Sequence, residues 1–565
     1  MLTSIILLLL PFSLLAHQSS LTTLEKELFW AIPNIPVTIS NSTTDLTSAE
    51  VYSIISNSMS EWNQSSVTKL SYSQNSTNEI KFVTDYPLGS AVLGTTEISY
   101  NSAGAIQKAT ILLNDDYHFH SSPGFYPTGQ VYLGDVIVHE LGHIFGLSHS
   151  EVLNSSMFYS SFSGQSSLAS DDRGGIRNKY STQFGSITGH VRGGNFIGVL
   201  GAHVQAISRL NGESTGAISD ENGYFKIGGL DLNDTYYIYT SPVKNPDSLP
   251  NYFSNIQNQF CPSSYVGSFF SSCGRENDGK PLPLTLSQEH PSLDVGTVSI
   301  NCNLHSDEEY DYQKIQTQFL PLTIFDYSKE QRSEKAFVGW FRTMTTNTWS
   351  QNDLFKIDLR GLEDLTGASK YLRVVFVSYP FGGPLEYEMK IKRSGQSTST
   401  TKNISYSSIS ETYNPDFYVD LPLGNDPSLN LFEVSIRAKR LSSSYAAQTF
   451  PSYMKFTSDQ HQPYLIISSI LESSVSGMSA LLDSKANLSD NAACLDAAFT
   501  FPVKKTAGSD EVSNLNTDQS VAAASCGTIE PPSSGPGPSL TQFVSGFLII
   551  YLASSLMKRR KKFLS

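Results

Sequence analysis

The run His139-Glu140-Leu141-Gly142-His143-Ile144-Phe145-Gly146-Leu147-Ser148-His149 constrains this chain more than any other stretch. His139 and His143 are four positions apart, so on a helix both imidazoles project from one face. Glu140 stands beside the first of them, within reach of a water held between the ligands. Gly146 supplies a residue able to turn left-handed where the helix must stop. The chain then returns and offers His149 as a third nitrogen. Three protein nitrogens leave a fourth tetrahedral position to water, which is the arrangement of a catalytic zinc; a structural zinc fills all four. The plain alternative is a helix with two solvated histidines, and the glycine and third histidine at these spacings argue against it.

The extended motif resembles that of the metzincin metalloproteases, and Ser150, directly after His149, is the residue found in their matrixin branch. Metzincins place a methionine turn below the zinc, and Ser155-Ser156-Met157-Phe158-Tyr159 fits that role, with Met157 as an apolar floor. The Met-x-Tyr order resembles the astacin and serralysin branches, whereas matrixins have Met-Tyr-Pro. Tyr159 therefore has two readings: a group close to the zinc or the oxyanion, and a wall of the specificity pocket beside Phe158.

The resemblance implies more. Ala109-Thr110-Ile111-Leu112-Leu113-Asn114-Asp115 reads as a strand ended by Asn and Asp. By analogy with metzincins it is the edge strand above the cleft, so Ile111, Leu112, Leu113 and Asn114 are expected to pair with an extended substrate. Ser170 to Tyr180 resembles the closing helix of matrixin catalytic domains. Asp171 and Asp172 either cap that helix or, as in matrixins, bind a mature N-terminal ammonium. The implied chemistry is peptide hydrolysis by a zinc-activated water, with Glu140 as general base and then as proton donor to the leaving amine. One catalytic Zn2+ is expected; Ca2+ is an option that the pattern does not place.

At 565 residues the chain exceeds one core, and only 16% of it is charged, a balance that suits extracellular β-rich modules. With a net charge of −14, nucleic acid is excluded as an expected partner. Residues 1–16 read as a secretory signal peptide, with a buried strand as the alternative. Residues 540–557 form a short apolar segment followed by a basic tail over 558–565. It reads as a retained transmembrane anchor with the enzyme outside, as a processed surface-sorting signal, or as a buried helix. The five cysteines all lie outside the protease segment, and Cys261–Cys273 is the expected local pair. No cysteine precedes the catalytic helix, so the matrixin cysteine latency device is not expected.

The expected architecture is multidomain: an α+β metzincin catalytic domain over 30–182, all-β sandwiches after it, and a C-terminal hydrophobic helix. Within the first, Thr47 to Trp62 is predicted to be a helix, from the spacing of Val51, Ile54, Ile55, Met59 and Trp62. His118 and His120 are read as surface histidines in preference to a second metal site. Residues 184–302 resemble the carboxypeptidase regulatory-like β-sandwich, with a hairpin signal at Asp220-Glu221-Asn222-Gly223 that a turn explains better than calcium does. Residues 304–470 are predicted to be a further sandwich, and 471–538 a low-complexity stalk. The resulting expectation is a secreted, surface-held zinc metalloendopeptidase acting on protein or peptide substrates. Two alternatives stand beside it: a surface adhesin with an inactive protease domain, and a zinc hydrolase of non-peptide substrates.

Overall fold

The computed structural model describes residues 19–22, 26–86, 92–123, 129–159, 164–192, 198–243, 268–270, 281–300, 322–326, 334–341, 349–350, 352–360, 370–377, 385–404, 418–423, 426–440, 462–474, 477–480 and 498–500. The expected signal peptide, the segments 540–557 and 558–565, and all five cysteines lie outside the described residues. Among the described residues, no helix is long and apolar enough to cross a membrane.

The first domain is α+β. Its sheet comprises β1 (Asn34–Ile39), β2 (Lys69–Tyr72), β3 (Glu79–Val83), β4 (Gly94–Tyr100) and β5 (Ile106–Asn114), in the order β2-β1-β3-β5-β4. β4 runs antiparallel to β5, and the other pairings are parallel. The strand expected at the edge is therefore interior. Ile111, Leu112, Leu113 and Asn114 are buried on β5, paired with β3 on one side and β4 on the other. Their backbone groups are spent within the sheet, so they cannot pair with a substrate. Among the described residues the sheet ends at β2 and β4, and β4, whose more open, polar residues alternate too weakly to announce an edge in sequence, is the one at the cleft.

Helix α1 (Ser48–Ser65) starts at Thr47, whose side chain and that of Glu50 form a reciprocal capping box. Val51, Ile54, Ile55, Met59 and Trp62 all face the core, as their spacing predicts. α1 packs on α2 (Leu133–Ile144), the helix that bears His139, Glu140 and His143. Trp62 is fully buried there, and its indole N–H donates to the Val138 carbonyl at 2.9 Å. α3 (Ser170–Tyr180) closes the domain at the expected place.

The next domain holds two sheets. One contains β8 (Gly185–Arg192), β11 (Tyr224–Leu230) and β15 (Ser292–Ser299), in the order β11-β8-β15. The other contains β9 (Ala202–Ser208), β10 (Ser214–Ile218), β12 (Thr235–Pro242), β13 (Ser268–Phe270) and the short β14 (Leu284–Thr285). (The intervening β6 and β7 are the short pair His118–His120 and Gln130–Tyr132.) Ile187, Phe225 and Val295 from the first sheet meet Val204, Ile238 and Phe270 from the second in one core, which makes a sandwich. The Asn-Gly signal does not make a hairpin: β10 and β11 lie in opposite sheets, and the turn hands the chain from one to the other. Asp220 Oδ1 accepts the Asn222 and Tyr224 N–H groups, both at 2.8 Å, so the turn uses this oxygen.

A larger sandwich follows. One sheet pairs Leu322–Asp326, Asp353–Asp358, Leu431–Arg440, Leu385–Arg393 and Thr400–Ile404 in that spatial order. The other pairs Glu334–Phe341, Gln462–Ser474, Lys370–Val377 and Tyr418–Pro422. Gly477–Ala480 and Ala498–Thr500, inside the span expected to be a stalk, are also strands, paired to Gln462–Ser474 and to β13.

Candidate metal centre and cleft

The end of α2 is built to expose three imidazoles. Leu147 N donates to Gly142 O at 3.1 Å and Gly146 N to His143 O at 2.8 Å, the paired bonds of a Schellman stop. Gly146 carries φ +81°, and a Cβ there would lie 2.4 Å from the Leu28 carbonyl oxygen. Only glycine fits this turn. The last carbonyls of the helix, which have no partner inside it, are taken up from outside. Trp30 Nε1 donates to Ile144 O at 2.7 Å, Tyr180 Oη to Phe145 O at 2.8 Å, and Ser20 N to Gly146 O at 2.9 Å.

The same turn brings His149 against His139 and His143, with ring centroids 5.3 and 5.0 Å away. One ligand nitrogen from each lies within 4.8 Å of the others. His139 Nδ1 meets Ser156 O at 2.7 Å, and His143 Nδ1 meets Leu147 O at 2.9 Å. A carbonyl accepts only from N–H, so in both rings the proton is on Nδ1 and the Nε2 lone pair faces inward. These two Nε2 atoms are 3.2 Å apart. Two lone pairs at that distance repel unless a cation lies between them. A tetrahedral zinc with bonds of about 2.0–2.1 Å sets its nitrogens about 3.3 Å apart, so the spacing fits the ion. Burial pushes the His139 imidazole well below its ordinary pKa, and the His143 imidazole below it too, which keeps both neutral and able to ligate.

Glu140 is buried, and removal from water pushes its carboxyl up to about 7, against the opposing hydrogen bond from Thr96. Thr96 Oγ1 lies 2.6 Å from Glu140 Oε2 and 3.1 Å from the Glu140 carbonyl oxygen. A Cβ on Gly94 would sit 2.9 Å from Glu140 Oε1, so glycine there leaves room for the carboxylate under the edge strand. Sequence reading missed both Gly94 and Thr96, because they sit on β4, far from the motif.

Met157 is the floor. Its sulfur lies where a side chain on Gly142 would go: a Cβ there would be 2.1 Å from Sδ. The turn that carries it is held by buried Asp172, which accepts from Ser155 Oγ (2.5 Å), Ser156 N (2.7 Å), Met157 N (3.0 Å) and Ala169 N (2.8 Å). The capping reading of Asp172 is thus part of its role, and the methionine turn is the larger part. Burial raises the carboxyl of Asp172, like that of Asp171, to about 6.

The three histidines and Glu140 open into a cleft of about 490 Å³, lined on one side by Gly94, Thr95 and Thr96 and on the other by Phe158, Tyr159 and Gln165. The structure therefore brings together His139, Glu140, His143, His149, Phe158 and Tyr159, with Met157 beneath and Gly146 at the turn. It leaves Ile111, Leu112, Leu113 and Asn114 one strand behind: Thr96 pairs with Ile111 and Thr95 with Leu112. His118 is exposed on Asp45 at 3.3 Å, whereas His120 is buried, so the surface reading fails for it; among the described residues the only group set to hold a metal is His139, His143 and His149.

Residues 29–181 match the family model of matrixin, a family of zinc metalloproteases, and the histidine cluster fits its zinc-binding motif. No curated protein matches the chain.

Proposed function

We propose that this protein is a zinc-dependent endopeptidase that hydrolyses extended protein or peptide substrates, with Glu140 as general base. The observation that carries the reading is the convergence of two inward lone pairs, 3.2 Å apart, with a third imidazole and a buried carboxylate at the floor of one open cleft. His139, His143 and His149 would hold the ion. Bound there, zinc supplies Lewis acidity and a water whose pKa lies near neutrality.

Glu140 is the group that would accept a proton from the attacking water, in the carboxylate form that Thr96 favours. The same carboxyl then delivers the proton to the leaving amine. Among the described residues β4 is an edge strand beside Glu140, so an extended peptide can be held by main-chain bonds along Gly94–Thr96. Tyr159 stands in the cleft wall, stacked on Phe158 with ring centroids 4.2 Å apart, which favours a role in the specificity pocket.

Export and attachment at the cell surface rest on the sequence of residues 1–16 and 540–565. The adhesin alternative is weaker, since an idle domain has no need of an intact ligand set and base. Incubating an unstructured protein with the zinc-loaded full chain, with and without a chelator, tests the reading. Chelator-sensitive cleavage is expected. Absence of cleavage by the zinc-loaded chain would favour the adhesin.

A further inference from the structure

The β-sandwich of β8 to β15 reaches a buried carboxylate of the zinc domain. The Gly216 N–H on β10 donates to Asp171 Oδ1 at 2.7 Å. The other oxygen of the same carboxylate, Oδ2, accepts the Ser150 hydroxyl at 2.6 Å, and Ser150 directly follows the ligand His149. Ser150 is fixed from its other side too, its Oγ accepting from Val152 N at 2.9 Å and its N–H donating to Met157 O at 2.7 Å. All these groups are buried, so water replaces none of these bonds cheaply.

We propose that the sandwich is a working part of the zinc centre and that Gly216 is a positioning residue for His149, acting through Asp171 and Ser150. This rests on the zinc-binding reading of the three histidines. The sequence leaves Asp171 two readings, a cap of its helix or, as in matrixins, a partner for an N-terminal ammonium. Here one of its oxygens is taken by the backbone of the following domain. The domain contact around it is close-fitted. A Cβ on Gly216 would lie 2.6 Å from His203 Nε2 of the sandwich and 2.9 Å from Val152 Cγ2 of the zinc domain, and one on Gly229 of β11 would lie 2.1 Å from the Gly174 carbonyl oxygen on α3. Arg173 of α3 pairs with Glu213 at 2.8 Å beside the same contact. The loop after His149 is also part of a shared core, in which Val152, Leu153 and Phe158 meet Ile207, Tyr237 and Tyr239 of the sandwich. Phe158 thus lines the cleft while belonging to a core shared with the sandwich.

In Gly216→Ala, made in the full chain, the new Cβ presses on His203 and on Val152 of the loop after His149, at the bond to Asp171 and without touching any ligand. Groups that orient metal ligands cost about 10–100-fold in metal affinity when disturbed, and a loss of at least about tenfold in zinc affinity is expected, read by competition with a chelating dye. Ser150→Ala cuts the same link from the protease side and is expected to lose zinc to a similar extent. Gly189→Ala is the control: its Cβ would press on Val295 and Phe225 inside the sandwich core, away from the contact. It is expected to lower the melting temperature and leave zinc affinity unchanged. Zinc affinity within about twofold of wild type in both Gly216→Ala and Ser150→Ala overturns the proposal. An equal loss in Gly189→Ala also overturns it, since the effect would then be general destabilisation. A wild-type chain that binds no zinc overturns the zinc reading itself and is seen before any variant is made.

Discussion

Thr96 on the edge strand donates to Glu140 on the metal-bearing helix, Oγ1 to Oε2, at 2.6 Å. This one bond ties the strand available to a substrate to the carboxylate proposed as its base.

It sets a pH prediction. Burial raises the Glu140 carboxyl to about 7, and the Thr96 bond opposes that rise by favouring the charged form. A bound dication favours the carboxylate further, so the acid limb of kcat/KM is expected below pH 7. The base works only when ionised, so activity falls as pH falls through that limb. Thr96→Val removes the bond and moves the limb upward by about one to two units, since a hydrogen bond to a charged group contributes about 1.5–3 kcal/mol. A pH–rate profile of the two proteins checks this; an unmoved limb contradicts it.

Gly142 and Met157 make a steric prediction. In Gly142→Ala the new Cβ meets Met157 Sδ at 2.1 Å and Trp62 Cζ2 at 2.8 Å. Both neighbours are buried, so relief needs a shift of the helix or of the floor beneath the ligands. A destabilisation of about 1–3 kcal/mol is expected, together with weaker zinc binding. Denaturant melts and chelator competition read the two effects, and wild-type values in both would contradict the packing described.

Asp172 collects four donors, three of them backbone N–H groups. Asp172→Asn keeps the volume and turns an amide NH2 towards some of those donors. Leaving buried N–H groups without an acceptor costs about 1–3 kcal/mol each, so the loss is expected to exceed about 2 kcal/mol. Thermal unfolding of the full chain measures it. Stability equal to wild type would show that the methionine turn does not depend on this carboxylate.

Much of the site was legible in the sequence because its chemistry is local. His139, Glu140, His143 and Gly146 sit within two turns of helix and its stop, where fixed spacing dictates fixed geometry. His149 and Met157 follow on short loops. The helix at Ser48–Ser65 was equally legible, since its apolar residues and capping box are local signals. The edge strand was not. Strand order depends on which partners meet across the sheet, and the more apolar β5 drew the role that belongs to the more polar β4. The same holds for Thr96 and Gly94, and for Asp171, whose bond to Gly216 spans 45 positions. The residues around Gly223 mark a turn by their local chemistry, but whether it joins strands of one sheet or two is again a matter of tertiary pairing.

Glu140→Gln tests the central claim most directly. The amide keeps the shape of the side chain and cannot act as a base. The full chain carrying it should bind one zinc as the wild type does and lose on the order of 10²–10⁴-fold or more in peptide cleavage. Cleavage at the wild-type rate by the zinc-loaded variant would contradict the account.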